Sequence, residues 1–270
     1  MACGRKTSSS GLLSRKGVAI SVIVITGASS GVGEALSICL SSPGTTLHLV
    51  ARRQDRLLAL AERISSRGAT PRLHGIDVRD RPAMDALAQN LLREGAPPNL
   101  IVANAGIRGE EDGNSREAME EIFRTNVMGV LNTVTPFLPA MRRKGRGQIA
   151  IVGSLAGYRG LPDAGAYCAS KAALSAWTDS LRLSVCPDGI GVSLVNPGYV
   201  ATEMTRKNPY PMPFVLSADE AARRILRGLE KKAPRIEFPL PMVLLVRILA
   251  LLPPRMGDAL LRFSENKKHQ

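Results

Sequence analysis

The chain has 270 residues, 44% hydrophobic and 22% charged, which excludes a disordered polymer and allows one large cored domain or two small ones. Its 36 Lys and Arg against 23 Asp and Glu give a net charge of +13, a field that attracts anionic lipid or phosphorylated ligands. With aromatics at only 4% and no zinc spacing or other nucleic-acid module, no nucleic-acid partner is expected.

Residues 1–16 hold four cations (Arg5, Lys6, Arg15, Lys16), no acid, and no apolar stretch before Gly17. They predict a flexible basic tail or a targeting extension rather than a secretory signal. From Val18 onward, Val/Ile/Leu-rich runs at 18–26, 45–51, 71–77, 99–105, 147–153 and 189–196 read as strands, several apolar on both faces. Amphipathic segments at 31–42, 54–67, 81–94, 115–143, 165–186 and 218–231 read as helices. Strict alternation requires crossovers, so the fold class is α/β with a doubly wound parallel sheet. One domain is expected over 17–233, with 234–270 an apolar and basic extension packed on it. Cys3, Cys39, Cys168 and Cys186 lie far apart and form no CxxC pair, which predicts reduced thiols, a cytoplasmic setting and no metal site.

The stretch Thr26–Leu36, TGASSGVGEAL, leaves the first strand and opens the first helix. Backbone N–H groups at a helix N-terminus carry partial positive charge, and glycine lets phosphate oxygens approach without meeting a Cβ. Gly27, Ser29, Ser30, Gly31, Val32 and Gly33 are therefore candidate contacts of a phosphate-bearing ligand. The spacing, Gly27-x-x-x-Gly31-x-Gly33, is not the usual GxGxxG, and a plain tight turn is the competing reading. The second strand ends LVARR, where an acid would accept from a ribose 2′-OH and an arginine would accommodate the 2′-phosphate of NADP. Arg52 and Arg53, with no acid at 51–53, favour NADP (as NADPH) over NAD.

From about Val18 to Glu230 the chain resembles the short-chain dehydrogenase/reductase family in its compact form. The motifs fall in the family's order: TGASSGVG (26–33), Asp77–Val78, NAG (104–106), Asn126 in NVMG, Ser154, YCASK (167–171), and NPG (196–198) followed by Thr202. Ala103 and Gly153 depart from common family residues without removing a reactive group. The resemblance implies a Rossmann-like single domain. It implies that Asp77 and Val78 flank the adenine, that Asn104 and Gly106 line the cofactor cleft, and that Asn196, Pro197, Gly198, Val200 and Thr202 approach the nicotinamide.

Hydride transfer to a carbonyl leaves charge on oxygen, so a proton donor is required. Tyr167 is the candidate, since Lys171 four residues on returns to the same helical face, and a nearby ammonium lowers a phenol pKa from about 10. No other tyrosine has lysine at that spacing. The resemblance gives Ser154 a hydrogen bond to the substrate oxygen, Lys171 a bond to the nicotinamide ribose, and Asn126 a water connecting Lys171 to solvent. A nucleophilic serine is disfavoured, because His48 and His74 fall within predicted strands and His269 is penultimate.

Residues 198–217 form a long, Pro-containing loop with Met204, Tyr210, Met212, Phe214 and Val215, where the family has its substrate loop. This suggests a lipophilic carbonyl or alcohol, with a self-packed loop as the alternative. Residues 238–254 are apolar but include Arg247 and four prolines, too short and broken for a spanning helix. A cap over the pocket, a subunit contact, or a peripheral membrane contact through 238–264 all remain open. The expected function is an NADP(H)-dependent oxidoreductase acting as homodimer or homotetramer. The alternative is a catalytically silent nucleotide-sensing or membrane-surface scaffold protein on the same fold.

Overall fold

A computed structural model describes residues 21–109, 113–206 and 211–266. The basic tail 1–16 and Tyr210 lie outside the described residues. Seven strands form one parallel sheet: β1 (Ser21–Thr26), β2 (Thr45–Val50), β3 (Thr70–His74), β4 (Leu100–Ala103), β5 (Gly147–Val152), β6 (Ile190–Pro197) and β9 (Arg235–Phe238). Their order across the sheet is β3-β2-β1-β4-β5-β6-β9. Two short strands, β7 (Val200–Ala201) and β8 (Leu216–Ser217), pair separately beyond the end of β6. This is the doubly wound α/β fold that the alternation predicts.

Helices cover both faces because the strands are apolar on both. Ile23 and Ile25 face one core layer, where they meet Leu36, Leu57 and Ile64 of α1 (Gly31–Cys39) and α2 (Gln54–Ser65). Val22 and Val24 face the other, with Met84 and Leu87 of α3 (Arg81–Arg93) and Phe137. Side chains of a strand alternate between faces, so one six-residue run serves two cores.

The single helix predicted at 115–143 is instead α4 (Arg116–Phe123), a π-turn (Arg124–Met128), α5 (Gly129–Val134), a 3₁₀ turn (Thr135–Phe137) and α6 (Leu138–Lys144). Pro136 and Pro139 account for the later break, since each lacks a backbone donor. Next come α7 (Gly165–Val185), α8 (Glu203–Arg206), α9 (Ala218–Glu230), α10 (Leu240–Leu251) and α11 (Pro254–Asn266). On α9, Ser217 caps the first turn by accepting from Glu220 N at 3.1 Å, and Ala221, Ala222, Ile225 and Leu229 form its buried stripe.

No strand was expected past 196, yet β9 completes the sheet beside β6, with Leu194 opposite Arg235 and Pro197 opposite Phe238. Its alternation is clear once seen: Ile236 and Phe238 enter the core, while Arg235 and Glu237 turn the other way. Four residues are too few to announce a strand by period alone.

Candidate active site

The strand order reverses between β1 and β4, which opens a crevice at the carboxyl ends of those strands. The glycine cluster lies there. Gly27 (φ +66°) and Gly31 (φ +58°) occupy the left-handed region that other residues seldom adopt. A Cβ built on Gly33 would lie 2.3 Å from the Gly27 carbonyl oxygen, so only glycine lets α1 close against β1. Ser30 precedes α1 in extended conformation and makes no side-chain cap, so the first-turn amides of α1 keep no capping side chain. Val32 packs partly on the core, and Ser29 is buried beside it. Asn104 fastens β4 to this loop: its Nδ2 donates to Thr26 O at 3.0 Å and Gly27 O at 3.2 Å. The arrangement fits a phosphate, because amides converge where a Cβ is missing.

The two arginines after β2 separate in space. Arg53 points back over the loop, donating from Nη2 to Ser30 Oγ at 2.8 Å and Ser29 Oγ at 3.2 Å. Its Nη1 donates to Glu203 Oε2 at 2.8 Å, and the other Glu203 oxygen is held by Arg56. Arg52 is exposed and stands 3.9 Å from Asp77. Burial opposes ionisation of Asp77, but the Arg79 fork, at 2.7–3.1 Å, outweighs it and holds the carboxyl below its usual range. Val78 is buried, its carbonyl accepting from Asn132 Nδ2 at 2.9 Å.

Beyond β5, Ser154 Oγ accepts from Ala156 N at 3.1 Å and starts a one-turn 3₁₀ helix (Leu155–Gly157). That turn rests on α7, since a Cβ at Gly157 would lie 2.9 Å from the Lys171 carbonyl carbon. The contact sets Ser154 near Tyr167, where the serine side chain acts to lower the phenol pKa. Lys171, 5% exposed, donates from Nζ to Val152 O at 2.9 Å and sits 5.6 Å from the Tyr167 ring centroid. Gly106 passes close by: a Cβ there would lie 3.1 Å from Asn126 Oδ1 and 3.6 Å from Lys171 Nζ. The four predicted residues Asn126, Ser154, Tyr167 and Lys171 are thus brought together.

Two details differ from expectation. Burial pushes the Tyr167 phenol up, with Ser154 acting against it, so the anticipated acidification by Lys171 is not the dominant influence. The lysine is itself depressed to about 8 by burial, and its ammonium is directed at the Val152 carbonyl. The fully buried Asn126 side chain also has protein partners. Its Oδ1 accepts from Ile107 N at 2.8 Å, and Nδ2 donates to Ile107 O at 2.9 Å and Ser170 Oγ at 3.1 Å. It splints the loop after β4 onto α7, from a π-turn that widens the helix at that point.

The segment after β6 crosses the crevice. Asn196 donates to Glu237 Oε1 at 3.0 Å, and Pro197 ends the strand. Gly198 N donates to Phe238 O at 2.8 Å, and a Cβ at Gly198 would meet Pro239 Cδ at 3.1 Å. Val200 is buried, and Thr202 lies against Gly31, 3.0 Å from where its Cβ would be. Met204, Phe214 and Val215 are exposed, Phe214 in left-handed backbone at φ +57°. Glu203, Arg56, Glu237 and Tyr158 were missed from sequence: their partners lie 10 to 150 residues away, and no local pattern marks them.

A profile of the family described as short chain dehydrogenase matches residues 21–211. An uncharacterized oxidoreductase of Myxococcus xanthus is 34% identical over 241 residues, covering 88% of this chain and 95% of the relative. A short-chain dehydrogenase from Sphingobium yanoikuyae in complex with NADPH is similar at a TM-score of 0.75 and 28% identity, over 82% of this chain and 88% of that one. An alcohol dehydrogenase from the archaeon Thermococcus sibiricus, complexed with 5-hydroxy-NADP, gives 0.71 and 30%, over 81% and 94%. With the profile spanning most of its length and the Myxococcus relative matching it almost end to end, the chain belongs to the short-chain dehydrogenases and is an oxidoreductase.

Proposed function

We propose that the chain interconverts a carbonyl and an alcohol with NADP(H), and that Tyr167 carries the proton. The observation that supports this most is the meeting of Tyr167, Ser154 and Lys171 at the end of β5, beside a glycine loop built for phosphate. When bound, the nicotinamide supplies or accepts hydride. Tyr167, its pKa raised by burial, keeps its proton at neutral pH, which is the state required to donate to a carbonyl oxygen. Ser154 holds that oxygen, Lys171 orients the ribose and the phenol, and Asn126 positions the loop that faces them. Tyr167→Phe tests the assignment: turnover falls at least about 100-fold, the usual scale of acid catalysis, while NADPH binding by fluorescence persists. Normal turnover in this variant would remove Tyr167 from the mechanism. Unaltered reacting side chains speak against the silent-scaffold reading.

NADP rather than NAD is favoured by Arg53, whose guanidinium lies over Ser29 and Ser30. A lipophilic substrate is favoured by the exposed Met204, Phe214 and Val215 and by α10, whose Leu240, Leu244, Leu245, Ile248 and Leu251 are 47–86% exposed. No helix among the described residues is long and apolar enough to cross a membrane. On a chain of charge +13, these side chains support peripheral contact with an anionic lipid surface. The substrate screen is NADPH oxidation with aliphatic, steroid-like and retinoid-like carbonyls, with NADH alongside.

A further inference from the structure

Glu203 opens α8, and its carboxylate bridges two guanidinium groups of a distant helix start. One oxygen accepts from Arg53 at 2.8 Å, and the other from Arg56. The same Arg53 grips the hydroxyls of Ser29 and Ser30, so one cluster joins the phosphate loop, the start of α2 and the segment after β6. A carboxylate held by two arginines occupies the place that chemistry reserves for a phosphate monoester, which offers three acceptor oxygens and close to two negative charges. All three side chains are 40–42% exposed, so the pairs are reachable by solute and weak enough to exchange. Beside them lies an open cleft of about 460 Å³, lined by Gly31, Glu34, Arg63, Thr202, Arg206 and Asp219, so α8 borders solvent-filled space on that side.

We propose that Glu203 is an internal substitute for the cofactor's 2′-phosphate: the phosphate takes Arg53 and Arg56 from it, and α8 is unlatched from α2 only when the phosphorylated nucleotide binds. This rests on the NADP reading above and adds two residues to it. Arg56 becomes a second phosphate ligand, and Glu203 a competitor that sets how strongly the site distinguishes the two cofactors. Because coupling is reciprocal, whatever loosens α8 raises affinity for the phosphate.

The test uses the full chain with adenosine 2′,5′-bisphosphate and adenosine 5′-monophosphate as probes, followed by calorimetry. Glu203→Gln tightens the bisphosphate about threefold to tenfold and leaves the monophosphate unchanged, the scale of exposed ion pairs removed from competition. Arg56→Ala weakens the bisphosphate by a similar factor. In wild type, hydrogen exchange at 203–206 speeds up with the bisphosphate and not with the monophosphate, and in Glu203→Gln it is fast throughout. If wild type prefers the bisphosphate but Glu203→Gln binds it no better, the latch is wrong and the NADP reading stands. If wild type binds both probes equally, the NADP reading fails and takes the latch with it.

Discussion

Lys171 is the residue whose chemistry depends most on its surroundings. Its position one turn from Tyr167 was legible, because i and i+4 share a helical face whatever the rest of the chain does. The direction in which the phenol moves was not, because burial is set by β5, the 3₁₀ turn and the loop after β4 together. Buried lysine favours its neutral form, with a folded pKa of about 8 against 10.5 for the ordinary side chain. The unfolded chain therefore binds more protons between those values, and stability climbs across that window by at most about 1.4 kcal/mol for each pH unit crossed. Melting temperatures of wild type and Lys171→Met, measured without nucleotide from pH 7 to 10, should diverge in favour of wild type as pH rises. Parallel curves would mean that the ammonium is better solvated than its 5% exposure implies.

Among elements, β9 is the strand of the main sheet that sequence left unassigned, and it carries a buried charge cluster. Glu237, with its side chain 8% exposed, accepts from Tyr158 Oη at 2.6 Å and Asn196 Nδ2 at 3.0 Å, and pairs with Arg247 of α10. Burial opposes its ionisation, but these partners hold the carboxyl below its ordinary range. The cluster thus ties the sheet edge, the turn after Ser154 and α10 to one side chain. Glu237→Ala should cost roughly 2–3 kcal/mol by denaturant titration, less than a fully buried pair because Arg247 is half exposed. Glu237→Gln should cost less, since its oxygen still accepts from both donors. A loss below about 0.5 kcal/mol in the alanine variant would show the cluster to be surface decoration. The six other strands of the main sheet were legible within a few residues, five of them as Val/Ile/Leu-rich runs bounded by turn residues, while β3 (TPRLH) carries a single leucine. The 115–143 helix was over-read: periodicity reports a face, not the π-turn that resets it at Asn126.

At the scale of the whole molecule, the exposed leucines of α10 set an apolar surface at the end of the chain's last strand. On phosphatidylcholine vesicles containing phosphatidylglycerol, the protein should float with the lipid at low salt. Leu244→Asp with Ile248→Asp should abolish this without changing the melting temperature, since both side chains are more than half exposed. A sedimenting dimer that buries α10 and ignores vesicles would replace lipid by a second subunit. The sequence kept cap, subunit and membrane readings of this segment open because an apolar helix has the same composition in all three settings.

Arg159 gives the two terminal helices a mechanical consequence. Standing between Ser154 and Tyr167 in the chain, it donates to Leu249 O at 2.9 Å and Asp258 Oδ1 at 2.9 Å, and a Cβ at Gly257 would strike its guanidinium at 2.5 Å. A load hung on α11, such as a fused reporter or a tether to a support, reaches the stretch between Ser154 and Tyr167 through this fork, alongside the Glu237–Arg247 pair and the packing of Met242 and Val243 on Leu155 that also hold α10. The molecule therefore has a handle, and attachment chemistry at that end bears on the segment that joins the two proposed catalytic side chains.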